Sequence, residues 1–272
     1  VGIGRPALHK VLGDRAKAAG AEIRLGVVAD AIEDTGDAVQ VTFSDGSQER
    51  FDLVVAADGV YSSTRRMLFK EAPTPKFTGQ SVWRYNFKRP DDITCLHVYE
   101  GRTGLGLVPL SDDLMYMYLT TAEPDNTRYP VEGIAAVMRE KVPTTSPRIA
   151  ELAEQITDDD GVVYRPLEGM FVDGDWHRGR VVMLGDAVHA TTPHLGQGAG
   201  MAIEDAIVLA EEIDRAETPQ EAFAAYQDRR YERCKYIVDA SLEICRGQLG
   251  LAPPPDQVKA STEMFQTVAE PI

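Results

Sequence analysis

The apolar positions of this chain keep two periods. Where they recur every three or four residues, the pattern predicts helices. One covers 6–20, with Ala7, Leu8, Val11, Leu12 and Ala16 on one face, Pro6 in its first turn and Gly20 at its end. Others cover 130–141 and 146–156, with Pro143 between them, and one or two more run over 219–244. A further helix from 199 carries Ala199, Ala202, Ile203, Ala206, Ile207, Ala210 and Ile213. Where apolar positions alternate or form short runs, the pattern predicts strands. Residues 39–43 and 49–51 flank Ser44-Asp45-Gly46-Ser47 as a hairpin. The continuous apolar runs 52–57 and 180–184 fit buried strands. From 78 to 121 the runs 81–87, 95–99, 104–109 and 114–120 are short, alternating and rich in aromatics, as antiparallel strands are, and 162–167 adds another. Leu251-Ala252-Pro253-Pro254-Pro255 breaks structure, and the residues beyond it read as a loosely attached tail.

Composition narrows the class. An apolar fraction of 43% over 272 residues suffices for a sizeable core in one or two lobes. No apolar run is long enough for a membrane-spanning helix, and the first ten residues lack the charged-then-apolar order of a secretion signal. The net charge of -15 argues against nucleic acid or an anionic membrane as partner. Cys95, Cys234 and Cys245 show no CxxC spacing, which fits reduced thiols in a cytoplasmic protein. No metal-ligand cluster is legible among the five histidines.

Candidate chemistry concentrates at 180–206, where a buried strand feeds a glycine-rich loop that opens a helix. Gly196, Gly198 and Gly200 allow close approach of backbone to a ligand. The first N–H groups of the helix favour an anion or an electron-rich ring edge. Asp186, at the carboxyl end of the strand, can accept hydrogen bonds from sugar-type hydroxyls. A second strand, 52–57, ends at Asp58-Gly59, where Ser62 reads as a helix N-cap. Gly2, Gly4 and Ala7 also match a dinucleotide fingerprint, with Glu22 about 20 residues on. That match is rejected, because no strand precedes Gly2 and Glu22 opens the run 21–25 instead of closing it.

The string at 180–206 resembles the second FAD-binding motif of the class A flavoprotein aromatic hydroxylases, the 4-hydroxybenzoate hydroxylase-like family. The residues that match are Gly185, Asp186, Ala187, His189, Pro193, Gly196, Gln197, Gly198, Ala202, Glu204, Asp205 and Ala206. Asp58, Gly59, Ser62 and Arg65 match the same family's DG motif, D-G-x-x-S-x-x-R. The resemblance implies an α/β fold. An FAD-binding Rossmann-like domain of the glutathione-reductase type, here incomplete, would carry an inserted antiparallel β-sheet substrate domain. It divides the chain into a first FAD-binding part (1–76), the substrate-binding sheet (77–168), a second FAD-binding part with C-terminal helices (169–250) and a tail (251–272).

The same resemblance assigns expected roles. Gly185 and Asp186 would hold the ribityl chain of FAD, and Pro193 would lie beside the reactive edge of the flavin. Gly196, Gln197, Gly198, Ala199 and Gly200 would cover its pyrimidine edge. Arg5 would contact the flavin or its phosphates, Val28 the adenine end, and Asp58, Gly59 and Arg65 both FAD and the incoming NAD(P)H. The sheet would roof a substrate pocket, with Trp83, Arg84 and Tyr116 as contacts and Tyr85, His97 and Tyr118 as further candidates. Period-2 alternation puts Trp83 and Tyr85 on one face and Arg84 on the other, so they cannot all point inward.

The implied activity is an FAD-dependent monooxygenase that hydroxylates a phenol-like aromatic with NAD(P)H and O2 through a flavin C4a-hydroperoxide. The catalytic group is unknown, and His97, Tyr85 and Pro193 are the candidate positions. Family members begin with a strand–GxGxxG–helix–strand–acid unit, and the resemblance here covers only the part after it. The expectation is a fragment, a processed form or half of a split protein, with weak FAD binding or none on its own. Two other readings stay open. One keeps the fold and changes the chemistry, to an isoprenoid-chain reductase or a halogenase; Trp83 and Trp176 stand too far apart for a halogenase-type WxWxIP segment. The other is a non-catalytic binding module for a partner chain that supplies the GxGxxG unit.

Overall fold

The structure, a computed structural model, describes residues 2–99, 101, 103–144, 146–254 and 256–272, so Pro255 of the proline run lies outside the described residues. In chain order its elements begin with α1 (Arg5–Ala18), β1 (Ala29–Asp34), β2 (Val39–Phe43), β3 (Gln48–Phe51), β4 (Val54–Ala56) and α2 (Ser63–Leu68). Next come β5 (Lys76–Lys88), β6 (His97–Tyr99), β7 (Leu105–Pro109), β8 (Leu114–Ala122), α3 (Ile134–Lys141), α4 (Pro147–Glu154) and β9 (Val163–Gly169). The remainder is β10 (His177–Arg178), β11 (Val181–Met183), α5 (Asp186–His189), α6 (Gly198–Arg215), α7 (Pro219–Gln248) and α8 (Gln257–Ala269). No helix among the described residues is long and apolar enough to cross a membrane.

Two compact units share these elements: 1–24, 79–167 and 247–254 form one, and 25–78, 168–246 and 255–272 the other. Residues 1–24, expected with the cofactor-binding part, group instead with the sheet, where Gly2 lies so close to β7 that a Cβ would stand 2.5 Å from the Pro109 carbonyl oxygen.

The first unit is built on a five-stranded sheet ordered β6-β7-β8-β5-β9, in which β6, β7, β8 and β5 pair antiparallel. Alternation turns Trp83, Phe87, Leu105, Leu107, Met115, Met117 and Leu119 to one face, and α3 and α4 close over them with Ile134, Met138, Ile149 and Leu152. On the opposite face the register sets Arg84 against Tyr118, Asn86 against Tyr116, and Tyr118 against Gly106. A Cβ on Gly106 would stand 2.4 Å from the Tyr118 ring, so only glycine lets that ring lie across β7.

In the second unit β11 and β4 pair in parallel, Val181 to Val54, Val182 to Val55 and Met183 to Ala56, with β10 antiparallel on the outer side of β11. A hairpin sheet, β1-β2-β3, accompanies them. The core gathers Trp176, Val182, Met183, Val188, Met201, Val208, Leu209, Phe223, Tyr226 and Ile237.

Three further expectations are corrected here. Helix α1, though it starts and stops as predicted, buries none of its residues. Helix α6 turns a different face inward: Met201, Asp205, Val208, Leu209 and Glu212 are buried, while Ile203, Ile207 and Ile213 are exposed. The buried face includes Asp205 and Glu212, which pair with Arg230 and Arg229 of α7, while the alanine and isoleucine stripe faces outward. The expected tail is helix α8. Asp256 caps it by accepting from Lys259 N–H at 2.9 Å, Met264 is buried, and Ala260, Val268 and Ile272 pack on the core. Arg229 and Arg233 also donate to the carbonyls of Ile272, Glu270 and Pro271.

Candidate cofactor site

The parallel pair β4 and β11 brings two acidic turns to one sheet edge. Both strands end on the same side, and Leu184 N–H donates to Ala56 O at 3.1 Å, extending the pairing. The Asp58-Gly59 turn and the Gly185-Asp186 turn therefore leave side by side, at the carboxyl ends where parallel sheets open crevices for ligands.

After β4, Asp58 accepts from Thr64 N–H at 3.0 Å and Ser63 Oγ at 3.4 Å, and Ser62 Oγ caps α2 by accepting from Arg65 N–H at 2.9 Å. Partial burial would raise the Asp58 carboxyl, but hydrogen bonds from Ser62 and Thr64 outweigh it and hold the group below the usual carboxylate range. Arg65 is 1% exposed and donates to Ala187 O at 2.7 Å and Val60 O at 2.9 Å. Burial, with Arg66 nearby, pulls this guanidinium below its ordinary value. The residue expected to face two cofactors is thus turned inward, where it ties the DG turn to the GD turn.

After β11, Gly185 takes φ +60 and ψ -142, a glycine conformation, and a Cβ there would stand 3.2 Å from that of Ala202. Asp186 comes next, exposed, at the start of the single turn α5. Pro193, also exposed, opens a short 3-10 turn, and Gly196 ends it at φ +68 with open space where a side chain would stand. Gln197 precedes α6, Gly198 starts it and Ala199 is exposed in its first turn, while a Cβ on Gly200 would come 3.2 Å from Gln197 Oε1.

Beneath this loop lies a set of charges to which the sequence patterns assign no role. Asp205, fully buried, accepts through Oδ2 from Gly185 N–H at 2.9 Å and contacts His189 Nε2 at 2.6 Å. Through Oδ1 it accepts from Arg230 Nε at 2.8 Å, and Cys234 Sγ stands 3.9 Å away. Arg230 also pairs with Glu204 at 2.6 Å. Burial works against a charged His189. The hydrogen bond to Asp205, the neighbouring Cys234 sulfur and the Asp205 charge outweigh it, and the imidazole is pushed up to about 10. Asp205 is shifted the opposite way: burial would raise it, and the His189 and Arg230 contacts bring it below the usual range. His189, Asp205 and Cys234 lie within 4.8 Å of one another, a grouping of metal-ligating types that histidine spacing alone did not reveal. With Arg230 on the same carboxylate, the set is charge-matched internally and suits an ion pair better than a cation site.

Among the charges of α7, Arg230 is fully buried. The sequence does carry a signal for this. Arg230 and Cys234 fall in phase with Phe223, Tyr226 and Ile237, so the arginine sits inside the buried stripe of the helix.

The remaining candidates are dispersed. Arg5 lies exposed in the first turn of α1, and Val28 is 63% exposed, its N–H and C=O paired with Ser44. Trp83 is fully buried on the core face of the sheet, its indole N–H on Thr121 Oγ1 at 2.9 Å and its ring clustered with those of Tyr129 and Tyr164. Tyr85 packs on Phe87 and accepts from Asp158 N–H at 3.3 Å, and His97 pairs with Leu107 on edge strand β6. Arg84 and Tyr116 share the opposite face, the guanidinium carbon 5.8 Å from the ring centre, with Arg84 Nε buried and unpartnered. Beside them, burial raises the Tyr118 hydroxyl above its usual value.

Comparison with known proteins places this geometry in context. A family model described as "FAD binding domain" matches residues 1–241. The chain is 32% identical over 250 residues, 90% of its own length and 67% of the relative's, to "Putative FAD-dependent monooxygenase YetM" of Bacillus subtilis. It is 35% identical over 247 residues, 84% of the chain and 59% of the relative, to 2-heptyl-3-hydroxy-4(1H)-quinolone synthase of Pseudomonas aeruginosa. Klebsiella pneumoniae HpxO, solved with FAD and uric acid, superposes with a TM-score of 0.80 at 23% identity, over 98% of this chain and 68% of that one, a likeness of fold. The chain thus spans 59% to 67% of the length of these curated relatives.

Proposed function

The chain belongs to the FAD binding domain family, to which the class A flavoprotein hydroxylases belong, and on that premise we propose that it holds FAD at the carboxyl ends of β4 and β11 and serves the hydroxylation of a small aromatic substrate. The observation that carries the reading is the juxtaposition of two glycine-and-acid turns at one edge of a parallel pair. The residues present fit the cofactor. Asp186 is exposed and can accept hydrogen bonds from ribityl hydroxyls, and Gly196 combines a left-handed φ with open space through which a flat ring can approach the backbone. The first turn of α6, from Gly198, would set its N–H groups against the electron-rich edge of that ring.

Bound FAD would supply redox chemistry with NAD(P)H and O2 that no side chain provides. The side chains bind and orient. In the sheet unit, Arg84 and Tyr116 present a cation and an aromatic face together, a pairing that suits a planar substrate bearing negative charge. The relatives' names point the same way, toward heteroaromatic compounds as the substrate class.

The test is a titration of the purified chain with FAD, monitored by flavin fluorescence. Saturable quenching is expected, and Asp186→Ala should weaken it about tenfold or more, equivalent to about 1.4 kcal/mol or more. Unchanged affinity in that variant would remove the GD turn from the site. With NAD(P)H and a panel of aromatic acids, a product one oxygen heavier than its substrate is the expected outcome, and NAD(P)H consumption with no such product would sink the hydroxylase reading.

A further inference from the structure

We propose that Asp205 is a positioning residue: held by His189 and Arg230, its buried carboxylate fixes the turn that carries Asp186, and so shapes the flavin site without touching the cofactor. The consequence for flavin rests on the function proposed above; the mechanism rests on the geometry of this unit alone.

One oxygen of Asp205 reaches both ends of the same turn. Oδ2 accepts from Gly185 N–H, just before α5, at 2.9 Å and lies 2.6 Å from His189 Nε2, at its last residue. The other oxygen is held by Arg230 from α7, so helices α6 and α7 fix the carboxylate before it fixes the turn. Arg65 grips the turn at a third point, the Ala187 carbonyl. Glycine reaches φ +60 and ψ -142 without strain but has many other conformations open to it, and the Gly185 N–H bond to a fixed carboxylate selects this one. Stability alone is a poor reason for this set, because apolar residues of similar volume replace buried ion pairs at little or no cost. An apolar substitute, however, would offer Gly185 N–H no acceptor.

Among the described residues, Asp205, Cys234 and the Trp176 ring at 5.6 Å face His189, and Arg230 with Glu204 behind it and Tyr226, whose hydroxyl donates to Met183 O at 3.4 Å, surround the Asp205 side of the pair. Asp205 is the acceptor of its Nε2, so that carboxylate governs whether the ring stays protonated.

The experiment compares the unmodified chain with Asp205→Asn, Asp205→Glu and, as a control in the other unit, Glu123→Gln. Three quantities are read: FAD affinity by fluorescence quenching, the His189 side-chain nitrogens by NMR across about pH 6 to 11, and amide exchange at Gly185. In Asp205→Asn, FAD affinity should fall about tenfold, His189 should lose its proton at a lower pH than in the unmodified chain, because burial then acts with no carboxylate to oppose it, and the Gly185 amide should exchange faster. Asp205→Glu should recover part of all three, and Glu123→Gln should change none. A folded Asp205→Asn chain with unchanged Gly185 protection, or with FAD affinity equal to that of the unmodified chain, overturns the proposal. If the unmodified chain binds no FAD, the proposed function fails, and Gly185 exchange with His189 titration decides the positioning role. If Asp205→Asn does not fold, His189→Gln, which leaves Gly185 and Arg230 on the carboxylate, should weaken FAD binding by a smaller factor; no weakening overturns the proposal.

Discussion

His189 and Asp205 give the molecule a pH dependence whose sign is set by their shifts. His189 is raised in the folded chain from 6.5 to about 10, so its contribution to stability is fully present below about 6.5 and is lost as pH rises through about 10. Asp205 is lowered from 3.8, so its contribution is present above that value and is lost as pH falls through its depressed folded value. The urea midpoint of the chain should therefore decline steadily above about pH 7, and Asp205→Asn should flatten that alkaline decline. An alkaline slope equal in the two chains would mean that His189 is neutral in the fold. At this scale the sequence supplied the letters without their partners. Gly185, Asp186, His189 and Asp205 were all marked by a motif, but that Asp205 serves Gly185 and not a ligand became visible only when the hydrogen bonds were placed.

Among elements, the pairing of α6 with α7 carries the most consequence. Arg230→Ala removes the guanidinium between Asp205 and Glu204 and leaves a buried carboxylate short of one donor. We expect a loss of about 3–5 kcal/mol, read from chemical denaturation, where a solvated arginine would lose almost nothing. Element positions themselves were legible. The hairpin at 39–51, the alternating strands of the sheet and the helix starts at Pro6 and near Ala199 are dictated by period, turn chemistry and capping. The inward face of α6 was not legible, because its alanine and isoleucine stripe points outward and the buried face carries Asp205 and Glu212, whose partners lie on another helix. Helix α8 was hidden by the prolines before it; its cap at Asp256 and anchor at Met264 are local signals too short to outweigh that break.

For the molecule as a whole, net charge makes a prediction of its own. At -15 the chain repels the phosphates of FAD at long range, and salt screens that repulsion within a Debye length of about 10 Å at 0.1 M. FAD affinity should rise modestly between about 10 and 200 mM monovalent salt. A steep fall over the same range would mean that a local cation cluster grips the phosphates. What the sequence determined alone is the set of elements and the chemistry of the two turns, because backbone preference and turn geometry depend on neighbours a few residues apart. It also determined the family, since the GD and DG strings are contiguous. Only the tertiary structure decided that the two turns share one sheet edge, that Arg65 faces inward and that Trp83 is core while Arg84 is not. Only there, too, does Arg230 complete a charge set with Asp205, 25 residues before it. Those outcomes depend on which distant partner each charge or ring meets, and burial of a charge is settled by that partner and not by the residue itself.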